Sequence, residues 1–340
     1  MSTEISVPSI KSPGALIAAL PAVLGFVPEK SLVLITLEDG QMGAVLRADW
    51  DENRYAWIAE LAELAAAGRA EAAIAVIVDA DGAGCAHCAP DHAMACQVLD
   101  AQLREHGLRL YAGHVVDRIA AGGHWHCADG CGRSGQVDDP DATPLAAAAV
   151  LDGRRRYRRR AELAAVVAPA GQDRRSVIAD LVTRAAEAAD TAPRGLVEAA
   201  ISLVARWGRG DPVSDGELAA VGASLTDIPV RDTLYGLAVT EHADAAEDLW
   251  AELARLLPAP WRVEALVLLA FTAYARGDGP LAGVALDAAL SLDGEHRMGG
   301  MLDIALRSGL RPERIRGLAG TGNRLARQMG VTLPPARRAG

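Results

Sequence analysis

Two runs of cysteine and histidine hold the residues best suited to chemistry. CAHCAPDHAMAC brings Cys85, His87, Cys88, His92 and Cys96 together, and HWHCADGC adds His124, His126, Cys127 and Cys131. Cys85 and Cys88 are separated by two residues, Cys127 and Cys131 by three. Each pair has the spacing of one knuckle of a tetrahedral zinc site, and thiolates are soft ligands that this metal favours. His92 and Cys96, one helical turn apart, are an alternative ligand pair. Free cysteine is also a common small core residue. A structural zinc at Cys85, Cys88, Cys127 and Cys131 is thus one expectation, set against burial as the other. A catalytic metal is disfavoured, because no acidic residue is plainly placed as a base. A redox role for Cys85 and Cys88 is disfavoured too, since loop residues precede the motif where a dithiol site would open a helix.

The second constellation is GRRRYRRRAEL, with Arg154, Arg155, Arg156, Tyr157, Arg158, Arg159 and Arg160. Six guanidinium groups around one aromatic ring have the makings of a phosphate-neutralising, base-stacking surface. The competing reading, which is favoured, is a solvated helix end whose arginines pair with the surplus of acids. A third candidate is a pocket at the carboxyl ends of strands near Asp79, Asp81 and Asp117, where open α/β sheets bind ligands. The same acids serve equally well as loop caps. No Walker loop, HExxH or GxSxG motif occurs, and GDGPLAG follows a helix and so is not the phosphate turn of a dinucleotide fold.

Composition bounds these possibilities. A chain of 340 residues exceeds the usual single core, so two domains are expected. A net charge of -10 argues against a surface that grips nucleic acid or an anionic membrane throughout. Only Lys11 and Lys30 are lysines, and with abundant alanine and glycine this points to a high-GC genome. Five cysteines without an export signal do not read as a disulfide framework, and no run approaches the ~20 apolar residues of a membrane span. The cytoplasm is the expected compartment.

The elements that must position these residues follow from periodicity. Ser12-Pro13 opens a helix carrying Leu16, Ile17, Leu20, Val23 and Leu24, with a kink or fresh start expected at Pro21 and an end at Gly25. Ser31 to Leu37 is apolar on both parities, as in a strand covered on both faces. Asp39-Gly40 turns it into a partner from Met42 to Ala48. A helix over Asp51 to Ala67, a strand over Ala72 to Val78, a helix over Asp91 to His106 and a strand over Leu108 to Ile119 follow, the last three implying a parallel crossover. HWHC is a short strand. The first domain, 1–168, is therefore expected to be α/β with a mixed, partly parallel sheet. From about Thr143 the pattern is helical. The break at Pro169 to Gln172 marks the boundary to an all-α domain over 173–330, and 331–340 reads as a disordered tail. Leu269, Ala270, Tyr274, Gly277, Asp278, Ala282, Leu286, Ala289, Leu290, Leu292 and Asp293 match the tetratricopeptide pattern at one offset, which predicts one helix hairpin with small residues at its contact. A single repeat makes no concave groove, so packing is favoured over peptide binding.

SPGALIAALPAVLGFVPEKSLVLITL, followed by VLRADW, resembles the opening of the actinobacterial family called domain of unknown function 4192. The resemblance continues through HWHCADGC, IPVRDTLYG and LWAELARLLPAPWRVEALVLLAFTAYARGDGPLAGVALDAAL, spanning nearly the whole chain. GRSGQ after Cys131 and the arginine run depart from the family's pattern. The resemblance implies a cytoplasmic protein and no particular activity.

Three functions are therefore weighed. The leading one is a non-enzymatic binding or adaptor module whose helical half contacts a protein partner, for which exposed apolar positions on helices after Ala243 would count. The others are a zinc-stabilised module with possible nucleic-acid contact through the arginine run, and an enzyme with a pocket at the strand carboxyl ends.

Overall fold

The structure is a computed structural model that describes residues 12–68, 70–151, 154–188 and 192–337. It divides into two compact units. One runs up to Glu162 and takes in Arg307–Gly309; the other comprises Leu163–Leu306 and the residues from Leu310.

The first unit is an α/β sheet whose strands are ordered β2-β1-β3-β4-β5-β6. Helix α1 (Pro13–Leu24) is capped by the Ser12 hydroxyl, which accepts from the Ala15 N–H at 3.2 Å, and ends at Gly25 in the left-handed conformation. It runs through Pro21 without interruption, because the missing N–H removes one hydrogen bond while Ile17, Leu20 and Leu24 stay buried on either side of it. Strands β1 (Ser31–Glu38) and β2 (Gln41–Asp49) form the expected antiparallel hairpin. After α2 (Arg54–Ala66), β3 (Ala72–Val78) enters beside β1 antiparallel, α3 (Ala89–Glu105) crosses over, and β4 (Arg109–Val116) returns parallel to β3. Strands β5 (His124–Cys127) and β6 (Ser134–Gln136) extend the sheet antiparallel, and α4 (Pro144–Leu151) follows. One apolar cluster joins Leu32, Leu34, Ala75 and Ile77 of the sheet to Ile58 and Leu61 of α2 and Leu99 and Leu103 of α3. Burying side chains of this size contributes about 1.5–3 kcal/mol each.

The second unit is helical. Short α5 (Arg160–Ala165) leads into it, and α6 (Gln172–Glu187), α7 (Pro193–Arg209), α8 (Asp215–Ser224) and α9 (Ile228–Leu234) come next. A 3-10 turn over Tyr235–Val239 precedes α10 (Ala243–Leu256), α11 (Trp261–Arg276), α12 (Gly279–Leu292), α13 (Arg297–Arg307) and α14 (Pro312–Gln328). Helices α11 and α12 form the expected hairpin, with Ala270, Ala282 and Ala289 fully buried and the Asp278 carboxylate accepting from the Leu281 N–H at 3.1 Å. Arg231 and His296 both bond Glu264, at 3.2 Å each, tying α9 and α13 to α11.

The unit begins earlier than the break at Pro169 suggests. The carbonyls of Val167 and Ala168 accept from Arg262 and Arg255, and the Ala170 N–H donates to the Arg255 carbonyl, so this stretch is bound to α10 and α11. The tail also differs from expectation over the residues described. Glu241 N–H donates to Pro335, Arg337 N–H donates to Val239, and the Arg337 guanidinium pairs with Asp244 at 2.8 Å. Residues 338–340 lie outside the described residues.

Candidate site at the carboxyl ends of the central strands

Strands β3 and β4 end side by side, and the amino end of β1 lies against the end of β3 with Ser31 opposite Val78. Lys30, Asp79 and the loop that enters α3 are thereby gathered at one pole. Asp79 Oδ2 and His92 Nε2 lie 3.1 Å apart, and both residues are buried. Lys30 Nζ stands 2.7 Å from Asp81 and 3.8 Å from Asp79. Burial pushes the Asp79 carboxyl upward, but the His92 hydrogen bond, the Gly82 N–H and the Lys30 charge outweigh it and hold the group below the usual carboxylate range. No side chain fits at Gly82: a Cβ there would lie 2.1 Å from Asp79 Oδ2. Trp50 packs on His92 with ring centroids 5.6 Å apart, and the Arg54 guanidinium covers Trp50 at 5.3 Å.

The five cysteines fall into two pairs and one that stands apart. Cys85 and Cys88 flank the turn that opens α3: Cys88 N–H donates to the Cys85 carbonyl at 3.1 Å, and His92 N–H donates to the Cys88 carbonyl at 3.2 Å. Cys88 is the cap of the helix. The motif itself lies in the loop after β3, which ends at this cap, and Pro90 suits the first turn of the helix. The Cys88 thiol and the N–H groups of Cys88 and His87 bond to Cys85 and hold its thiol below the ordinary value, while that same thiol contact raises Cys88.

Cys127 and Cys131 meet Asp129 in the turn after β5, where their ligand atoms lie within 4.8 Å of one another. Among the described residues this is the one group of three or more such side chains that could hold a metal ion, and Cys85 and Cys88 stand outside it. Burial foremost, then the Cys131 contact, pushes the Cys127 thiol up to about 11. The Cys131 N–H donates to Asp129 Oδ1 at 3.0 Å. His114, opposite Cys127 in the β4–β5 ladder, places Nδ1 3.8 Å from the Cys127 sulfur and stacks edgewise on Trp125. Asp129 was not among the residues singled out from the sequence, although its place between two cysteines in CADGC was the available signal. Cys96 packs half-buried against β4 and does not pair with His92, which turns to Asp79. Burial pushes its thiol up to about 12.

A cleft of roughly 410 Å³ opens at this pole. Its walls are Ala83 and Gly84 after β3, Asp117 after β4, and residues of β5 and β6 from His124 to His126 and Ser134 to Gln136. His126 braces the walls, with Nε2 3.0 Å from the Ala83 carbonyl and Nδ1 3.1 Å from the Cys127 carbonyl. The three acids named from the sequence all have partners. Asp79 has His92, Asp81 has Lys30, and Asp117 accepts from the N–H groups of Arg118 and His124 at 2.6 and 2.8 Å.

The arginine run leads from the segment after α4 into the amino end of α5, whose first residue is Arg160. Arg156 pairs with Asp141, Arg159 with Glu29 at 3.6 Å, and the Arg158 N–H with Glu162 at 3.0 Å. Tyr157 N–H donates to the Gly25 carbonyl at 2.7 Å, forming a bridge with Phe26. On the helical unit, Met301 and Ile304 of α13 are 54% and 70% exposed, and Leu292 and Leu318 are also exposed. No helix among the described residues is long and apolar enough to cross a membrane.

These features define an α/β unit with a cysteine-rich pole, followed by a helical unit in which α11 and α12 form a hairpin. The family model described as domain of unknown function DUF4192 matches residues 13–313, and the chain belongs to that family. No curated protein and no solved structure matches it.

Proposed function

We propose that this protein is a non-enzymatic binding module of the cytoplasm, an adaptor whose helical unit presents an apolar helix face to a protein partner. The observation that carries this reading is the exposure of Met301 and Ile304 on successive turns of α13. Apolar side chains grouped on one surface are the usual mark of a contact site, whereas scattered ones need no explanation. A photo-crosslinking amino acid at position 304 tests it in cells. A discrete adduct that disappears with Met301→Glu supports the reading, and a diffuse set of products unaffected by that substitution counts against it.

A second reading, that zinc stabilises the α/β unit, is favoured by the grouping of Cys127, Asp129 and Cys131. Structural zinc takes four ligands, commonly thiolate and imidazole, and His114 is a further donor beside Cys127. Bound zinc would fix the turn after β5. Elemental mass spectrometry on untagged protein tests it: near-stoichiometric zinc, lost with Cys127→Ser and kept with Cys85→Ser, supports this ligand set. Nucleic-acid contact through Arg154 to Arg160 is not part of either reading, since Arg156 and Arg159 face Asp141 and Glu29.

A further inference from the structure

We infer that Cys85 and Cys88 form a reversible disulfide, so that the turn opening α3 is a thiol–disulfide switch in exchange with low-molecular-weight disulfides. The inference is independent of partner capture and of a metal at Cys127.

Geometry carries it. The bond from Cys88 N–H to the Cys85 carbonyl closes a four-residue turn, whose end Cα atoms lie within about 7 Å. A disulfide needs Cα atoms about 4.4–6.8 Å apart and sulfurs that face each other. The two thiols are close enough that each shifts the other's ionisation. Both residues are half-buried, so a small disulfide can reach them while the helix behind them stays packed. Cys85 is the attacking residue, because the Cys88 thiol and the backbone N–H groups of Cys88 and His87 favour its thiolate. The other cysteines differ: Cys96 stands apart against β4, and although Cys127 and Cys131 also contact each other, burial and Asp129 push the Cys127 thiol up.

The exchange balances without a metal or further cofactor. Ionised Cys85 attacks one sulfur of a disulfide RSSR, forming a Cys85–SR bond and releasing RS⁻, which takes up the proton Cys85 lost. Cys88, ionised in turn, attacks the Cys85 sulfur, forming the intramolecular bond and expelling the second RS⁻, which takes up the proton of Cys88. The protein dithiol loses two electrons, and RSSR gains them to become two RSH. Ala83 and Gly84, which line the cleft, immediately precede Cys85 in the chain.

The test is equilibration of the full chain in glutathione redox buffers, with acid quench and alkylation mass spectrometry at each cysteine. The expected result is one transition in which Cys85 and Cys88 are oxidised together, its position following the square of reduced glutathione divided by oxidised glutathione. Cys88→Ser should trap a Cys85–glutathione adduct, while Cys85→Ser should lower adduct formation at Cys88 at least tenfold. Oxidation that follows the simple ratio, adducts forming independently at each residue, a Cys127–Cys131 bond in place of this one, or protection of both thiols by bound zinc would each overturn the inference.

Discussion

The carboxylate of Asp79 and the imidazole of His92 meet at 3.1 Å inside the α/β unit, at the junction of β3 and α3. Both side chains are withdrawn from water, and the Asp79 side chain is 9% exposed. Removing one partner from such a pair strands the other and typically costs about 3–5 kcal/mol. Asp79→Ala and His92→Ala should each lower stability by about 3 kcal/mol in urea titrations, and the double substitution should cost clearly less than their sum.

The same pair gives a pH signature. Asp79 is held below its ordinary value of 3.8, so the folded state binds this proton less readily than the unfolded chain. Its contribution is complete above that value and is lost as pH falls through the lower folded value. Urea midpoints measured from about pH 6 down to about pH 3 should fall less steeply in Asp79→Asn than in the parent protein.

Close approach of α3 to β4 makes a second prediction. A Cβ at Gly113 would lie 2.7 Å from the Cys96 sulfur. Gly113→Ala should therefore cost about 1–3 kcal/mol by overpacking, and Cys96→Ala in the same chain should recover part of that loss. A double-mutant cycle by chemical denaturation measures the coupling.

Half-buried packing of Cys96 against β4, with desolvation pushing its thiol up to about 12, predicts a native-state thiol that alkylating reagents leave untouched. Iodoacetamide labelling should reach Cys96 only in denaturant. Labelling of Cys96 in the folded protein would contradict its placement.

Surface and cap positions should behave differently from one another. Ile304→Glu leaves an exposed site and should change stability by no more than about 0.5 kcal/mol, while abolishing capture of the proposed partner.

Ser214 is half of a capping box with Glu217, whose carboxylate accepts from the Ser214 N–H at 2.8 Å. Ser214→Ala should cost about 1 kcal/mol, read as a lower melting temperature with the fold unchanged by circular dichroism.

Much of this architecture was legible in the residues. The strand Ala72–Val78 is a run of seven small and β-branched apolar residues, and its boundaries coincide with the expectation. Ser12, Pro13 and Gly25 bracket α1 because hydroxyl capping, a missing N–H and a left-handed glycine are local properties. Helix α14 escaped notice. Its buried face uses Ile315 with Ala319, Gly322 and Ala326, so the apolar signal that marks a helix is faint. The pairing of His92 with Asp79 was illegible for another reason: the residues are 13 apart and meet only because β3 ends where α3 begins.

The sequence by itself determined the order of elements, the hairpin of β1 and β2, the crossover that makes β3 and β4 parallel, and the cysteines available for chemistry. These follow from periodicity, turn residues and side-chain type, which act over a few neighbours. Tertiary structure alone decided which groups meet. His92 found Asp79, His114 found Cys127, and Lys30 joined Asp79 because antiparallel β1 brings its amino end beside the carboxyl end of β3. Such meetings are set by strand register and layer packing, and those depend on the whole hydrophobic core rather than on any local run of residues.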